Sequence, residues 1–153
     1  MLRIAKLTDY ATVLLALLAR SSDSQQSAAE LAARARLEVT TVSKVLKQLS
    51  QAGLVEARRG ASGGYRLAKA PQAISVADVI VAMEGPIGLT ECQLHTGLCS
   101  HETHCGVRNI WRKIGLAVET ALRSVTVADL TASSGAARTP ARPIPTRIKE
   151  VQP

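Results

Sequence analysis

The stretch CQLHTGLCSHETHC, residues 92–105, holds all three cysteines and all three histidines of a 153-residue chain. Cys92, Cys99 and Cys105 sit among Gly97 and Gly106, with no clear helical or strand period, so the three thiols can converge. Thiolates are the soft donors that zinc, copper and iron-sulfur clusters select, which makes metal or cluster binding the leading chemistry. Three is one ligand short of the usual set. His95, His101, His104 or Glu102 can complete it from within the segment, as can a group elsewhere in a dimer. Three cysteines with one histidine also make a common structural zinc set, although the close Cys-x-x-Cys pairs usual at such sites are missing. Spacing alone divides cluster and structural zinc nearly evenly, and a cluster-free thiol switch comes third. A Cys-His nucleophile comes last, because nothing argues for an oxyanion hole, cleft or orienting partner. The chain is not expected to be an enzyme.

The elements that must position this segment are helical. Apolar residues make up 46% of the chain, but there is no Phe, one Trp and two Tyr, so the core must come from Ala, Leu, Val and Ile, which suits closely packed helices. A first helix is expected after Thr8 as its cap, running to about Arg20. SSDSQQ reads as a loop, and SAAELAARA as a second helix opened by the capping pair Ser27 and Glu30. Thr40 is expected to cap a third helix, with Val42, Val45, Leu46 and Leu49 as its apolar stripe and Gly53 as its stop. Two short helices with a tight turn suggest a helix-turn-helix. LVEARRGASGGYRLA then reads as two short strands around a basic turn, where Gly60, Gly63 and Gly64 permit positive φ and leave room for a partner's close approach. That hairpin is a wing.

Ser75 and Asp78 form another capping pair, opening the helix VADVIVAMEG that leads into the cysteines. Beyond them, Ile110, Ile114, Val118, Ala121 and Val125 form the stripe of a long helix over roughly 107–124. Its expected cover is a second copy of the chain, with packing on its own domain as the alternative. The expected fold is mainly α, a winged helix-turn-helix with a small β-hairpin wing and a long C-terminal dimerisation helix. Three parts follow: a DNA-binding region over 1–70, the cysteine loop and dimerisation helix over 71–130, and a disordered basic tail over 131–153.

Charge supports this division. Residues 1–70 carry 11 Lys and Arg against 5 acids, whereas residues 71–130 carry 4 against 6, within a net charge of +7. A basic N-terminal half suits a polyanion such as double-stranded DNA. Thr40, Thr41, Ser43, Lys44 and Lys47 stand near the start of the third helix, where short polar side chains reach base edges and lysines hold phosphates. Arg58, Arg59 and Arg66 can reach backbone or minor groove from the wing. The apolar run from Ala11 to Ala19 is too short to span a bilayer, and Asp9 and Tyr10 interrupt a signal-peptide layout. With an odd cysteine number arguing against a secreted disulfide framework, the expected location is the cytoplasm, away from membranes.

LTDYA, TTVSKVLKQLSQAGLVEARRGASGGYRLA, ISVADVIVAMEG and the three cysteines ahead of a Trp-bearing helix together resemble the iron-sulfur winged-helix regulators of the IscR and NsrR type. EGPIGLTEC and the Arg-Gly-x-x-Gly-Gly-Tyr wing further resemble regulators of the SUF iron-sulfur assembly system. The resemblance covers residues 1 to about 130. It implies a homodimeric transcription factor, usually a repressor, whose cluster state alters DNA affinity, with Cys92, Cys99 and Cys105 as cluster ligands. The histidine that IscR-like proteins place three residues after the last cysteine is Arg108 here, which stays charged and cannot ligate. NsrR-like proteins use an acidic residue of the other subunit's first helix, and Asp9 matches it. The IscR-like members imply a 2Fe-2S cluster, which is slightly favoured, and the NsrR-like members a 4Fe-4S cluster and nitric-oxide sensing. A zinc-stabilised winged helix and a protein-binding adaptor are the rival classes.

Overall fold

Helix α1 (Lys6–Ala19) places Ala11, Leu14, Leu15 and Leu18 on one buried face, the three-and-four spacing that makes a helix amphipathic. The computed structural model describes residues 3–21, 24–60, 63–94, 97, 99–100 and 104–132. Helix α1 begins earlier than expected: Ala5 is its cap and Thr8 lies within it, making no capping bond. The acceptor comes from elsewhere in the chain. Glu84 Oε1 takes the Ala5 N–H at 3.0 Å and the Thr8 hydroxyl at 2.5 Å, so a distant carboxylate satisfies the helix start and complements its dipole.

Helix α2 (Ala28–Ala35) opens on the Ser27–Glu30 capping box, which forms as expected. Arg36, in the left-handed conformation at φ 55°, closes it and turns the chain into helix α3 (Val39–Gln51). Val42, Val45, Leu46 and Leu49 are fully buried. Gly53, at φ +70°, stops α3: its N–H reaches the Ser50 carbonyl while Leu54 N–H reaches Leu49 O, the double bond pattern of a Schellman cap. The cap at the front differs from expectation. Glu38 holds the N-cap position without a side-chain bond, and Thr40 is the second residue of the helix.

Strands β1 (Val55–Arg58) and β2 (Gly64–Leu67) pair antiparallel, with Val55 opposite Leu67 and Arg58 opposite Gly64. The chain then crosses a single 3-10 turn into helix α4 (Val76–Glu84), opened by the Ser75–Asp78 capping box. A four-residue helix, α5 (Glu91–Leu94), carries Cys92, and the long helix α6 (Arg108–Ser124) follows. Helix α7 (Val127–Ala132) was not expected from the sequence, and it takes in residues assigned to the tail. Residues 133–153 lie outside the described residues. Antiparallel bonds join the starts of α4 and α7, Val76 N–H to Val125 O at 2.8 Å and Val127 N–H to Ile74 O at 2.9 Å.

One core gathers α1, α2, α3, β1, α4 and α7, with Ile74, Val79 and Val127 buried beside Leu14 and Leu46. Helix α6 packs on α4 and α5 yet has no buried residue. Among the described residues, no helix is long and apolar enough to cross a membrane.

Candidate functional site

The buried stripe of α3 determines what its opposite face can do. With Val42, Val45, Leu46 and Leu49 turned inward, Thr40, Lys44 and Lys47 are exposed, and Thr41 and Ser43 are half-buried beside them. Hydroxyls at the leading end and ammonium groups along the helix match the division between base edges and phosphates that major-groove recognition requires. Sequence reasoning misses Val39, the first residue of α3, which is 47% exposed. An exposed apolar side chain at that end suits contact with a thymine methyl. Its signal is positional: Val39 stands three residues before Val42, at the leading end of the stripe, where the core no longer covers it.

The wing is held to α2's entry by the backbone. Gln26 N–H donates to Tyr65 O at 3.1 Å and Tyr65 N–H to Gln26 O at 2.8 Å, and Gln26 is itself buried and bonded by Arg34. This fixes why two glycines are needed. A Cβ on Gly64 would stand 2.9 Å from the Gln26 carbonyl oxygen, and one on Gly63 would strike the Arg58 carbonyl and lie 2.8 Å from that of Gly60. The close approach expected of an outside partner is thus, at these two positions, made by the chain itself. Of the three wing glycines only Gly60, at φ +114° with open space around it, keeps the expected freedom. Arg58 and Arg59 are exposed beside it. Arg66 instead pairs with Glu56, its cross-strand neighbour, at 2.6 Å, so part of its charge is already answered within the wing.

Cys92, Cys99 and Cys105 are all free and half-buried. Cys92 lies on α5 with the Thr90 hydroxyl 3.3 Å from its sulfur; Cys99 and Cys105 lie in the loop before α6. His104 is exposed, while His95, His101 and Glu102 lie outside the described residues. Among the described residues, no group of three or more His, Cys, Asp or Glu is placed to hold a metal ion. The donor chemistry, three thiols with no disulfide between them, fits a soft metal or an iron-sulfur cluster. Asp9 is exposed in the first turn of α1, and among the described residues its carboxylate has no partner. Arg108 opens α6, lining a hollow with Cys92, Arg112 and Glu119.

Helix α6 presents Ile110, Trp111, Ile114 and Leu116 at 57, 41, 41 and 57% exposure. Ala121 and Val125 of the expected stripe are also exposed, and Val118 is half-buried.

Comparison with known proteins agrees with this arrangement. Protein rrf2 of Nitratidesulfovibrio vulgaris Hildenborough is 31% identical over 118 residues, covering 77% of this chain and 79% of that protein. The HTH-type transcriptional regulator IscR of Yersinia pseudotuberculosis is 29% identical over 119 residues, covering 78% and 72%. Among solved structures, CymR, the global cysteine regulator of B. subtilis, superposes with a TM-score of 0.70 at 30% identity, over 87% of this chain and 98% of that one. T. potens IscR superposes at 0.64 and 28% identity, over 87% and 88%. Residues 4–133 match a family described as Rrf2, iron-dependent transcriptional regulator. With a helix-turn-helix, a basic wing and this match across most of its length, the chain belongs to the Rrf2 family of winged-helix transcriptional regulators.

Proposed function

We propose that the chain is a homodimeric, DNA-binding repressor that senses iron-sulfur cluster status and controls SUF iron-sulfur assembly genes. One observation carries this most directly. The cysteine segment runs from α4, whose Val79 is in the winged-helix core, to α6, which buries no residue within its own subunit. A change of structure at Cys92, Cys99 and Cys105 is therefore adjacent both to the body that carries α3 and to the face offered to a second subunit. Half-site spacing across a dimer depends on that relation.

Cys92, Cys99 and Cys105 would hold the cluster, 2Fe-2S slightly favoured over 4Fe-4S, with Asp9 of the partner subunit as fourth ligand. The exposed Asp9 carboxylate, without a partner among the described residues, is consistent with that role. When bound, the cluster supplies sensitivity to iron supply, oxidants and nitric oxide. Binding of such a group by Cys92, Cys99 and Cys105 would couple to the local folding of the segment that carries them. Thr40, Thr41 and Ser43 meet base edges, Lys44 and Lys47 meet phosphates, and Arg58, Arg59 and Arg66 act from the wing. Occupancy then shifts DNA affinity by a coupling free energy of about 1–3 kcal/mol. The test is the affinity of reconstituted and cluster-free protein for DNA upstream of SUF genes. Equal affinities in both forms, unchanged by Cys99→Ala, would falsify the sensing role.

A second reading is a regulator that responds through its thiols alone or carries structural zinc. The free state of all three half-buried cysteines and the likeness to CymR, named as a cysteine regulator, favour it. It requires oxidant-dependent DNA affinity, or chelator-induced unfolding, in protein without sulfide.

A further inference from the structure

Cys92 rides on the four-residue helix α5 ahead of two side chains that each fill the space over a glycine. Gln93 lies on Gly115 of α6: a Cβ there would stand 2.8 Å from both the Oε1 and Nε2 atoms of Gln93. Leu94 lies on Gly88 in the same manner, its Cδ2 2.6 Å from the place a Cβ would take. The Gln93 amide is used at both ends. Its Oε1 accepts the Leu89 N–H at 2.7 Å, and its Nε2 donates to the Trp111 carbonyl of α6. In an α-helix that carbonyl belongs to the turn that receives the N–H of residue 115, so contact and hydrogen bond fall on one turn of α6.

We propose that Gln93 is the positioning residue for Cys92, with Gly115 and the Trp111 carbonyl as the seat that fixes the thiol against α6. A four-residue helix cannot hold its own position by its internal hydrogen bonds. A side chain satisfied at both ends and admitted by an absent Cβ can hold it. Displacement of Cys92 is then delivered to α6 without an intervening flexible link. The role assigned to the seat rests on Cys92 being a cluster ligand, but the seat itself can be measured without any metal.

The experiment uses the full chain, metal-free and reduced, and follows N-ethylmaleimide addition to each cysteine by mass spectrometry across a range of pH, so that rates are compared per thiolate. Gly115→Ala fills the seat. Gln93→Glu keeps the shape but sets a carboxylate oxygen against the Trp111 carbonyl. Either change is expected to speed modification of Cys92 by about five- to tenfold, the effect of losing roughly one hydrogen bond from the closed arrangement. Cys99 and Cys105 keep their rates, and the double variant Gln93→Ala with Gly115→Ala does not recover the wild-type Cys92 rate, since space returns but the bond does not. Should Gly115→Ala fail to fold, Gln93→Glu still decides. Wild-type Cys92 rates in both single variants, or equal acceleration of all three cysteines, overturn the seat. Anaerobic reconstitution of the same proteins separates the two ideas. Iron and sulfide in the wild type with altered visible bands in Gln93→Glu support both, whereas a wild type that takes up neither overturns the cluster role and leaves the seat to the alkylation rates.

Discussion

Two threonines show how far a single residue can be read without its surroundings. Thr8 and Thr40 both look like helix caps, and neither is one: Thr8 gives its hydroxyl to Glu84 and Thr40 is an exposed residue inside α3. A cap is a local proposal that a group 76 positions away can override. Thr8→Val should therefore destabilise the fold by about 1 kcal/mol, the net worth of one hydrogen bond, seen as a lower thermal midpoint. On the exposed face of α3 the consequences are for binding. Lys44→Ala or Lys47→Ala should weaken DNA binding almost uniformly across sequences and lower the salt slope by about one each. Substituting Thr41 or Ser43 should instead change sequence preference. Arg66→Ala should matter less than Arg58→Ala, because Arg66 is already paired with Glu56; salt-dependent fluorescence anisotropy distinguishes these cases, and a larger loss for Arg66 would show that Glu56 releases it on the DNA.

Helices were legible where the signal was local. The capping boxes at Ser27 and Ser75, the stripe of α3 and the Gly53 stop each depend on residues a few positions apart, and all formed as read. Helix α7 was missed although Thr126 and Asp129 form the same kind of pair, because the helix has only six residues and burial of Val127 is what holds it. Three carboxylates share this capping role. The Ser27 and Thr126 N–H and hydroxyl groups hold Glu30 and Asp129 below the usual carboxylate range. For Asp78 burial pushes upward, but Ser75, Arg123 and Lys69 outweigh it and the net direction is also down. A carboxylate lowered in the folded state stabilises fully above its unfolded value, about 4, and loses that contribution as pH falls through the lower folded value. Metal-free protein should hold its stability from neutral pH to about pH 5 and lose it progressively below about pH 4, with a shallower decline in Asp78→Asn. In the wing, Gly64→Ala would force the Gln26 bridge apart at an overpacking cost of about 1–3 kcal/mol, and DNA affinity should fall with it. That need for glycine was invisible in the sequence, because Gln26 lies 38 positions away in a stretch that reads as plain loop.

For the molecule as a whole, the basic N-terminal half is legible from composition and the apolar stripe of α6 from periodicity, and within one subunit Ile110 and Ile114 of that stripe are exposed. How Cys92, Cys99 and Cys105 are arranged was not legible, because loop geometry depends on contacts such as Gln93 with α6 that no local period encodes. The exposed Ile110, Trp111 and Ile114 predict a dimer in solution, and charged substitutions at Ile110 and Ile114 should yield monomers with much weaker operator binding by sedimentation and gel shift. The most direct test of the proposed sensing function is chemical analysis of the full chain purified without oxygen. Visible charge-transfer bands with iron and acid-labile sulfide are expected in the wild type and should be lost in Cys99→Ala. A colourless protein holding stoichiometric zinc and no sulfide would contradict the cluster and leave a structural metal in its place.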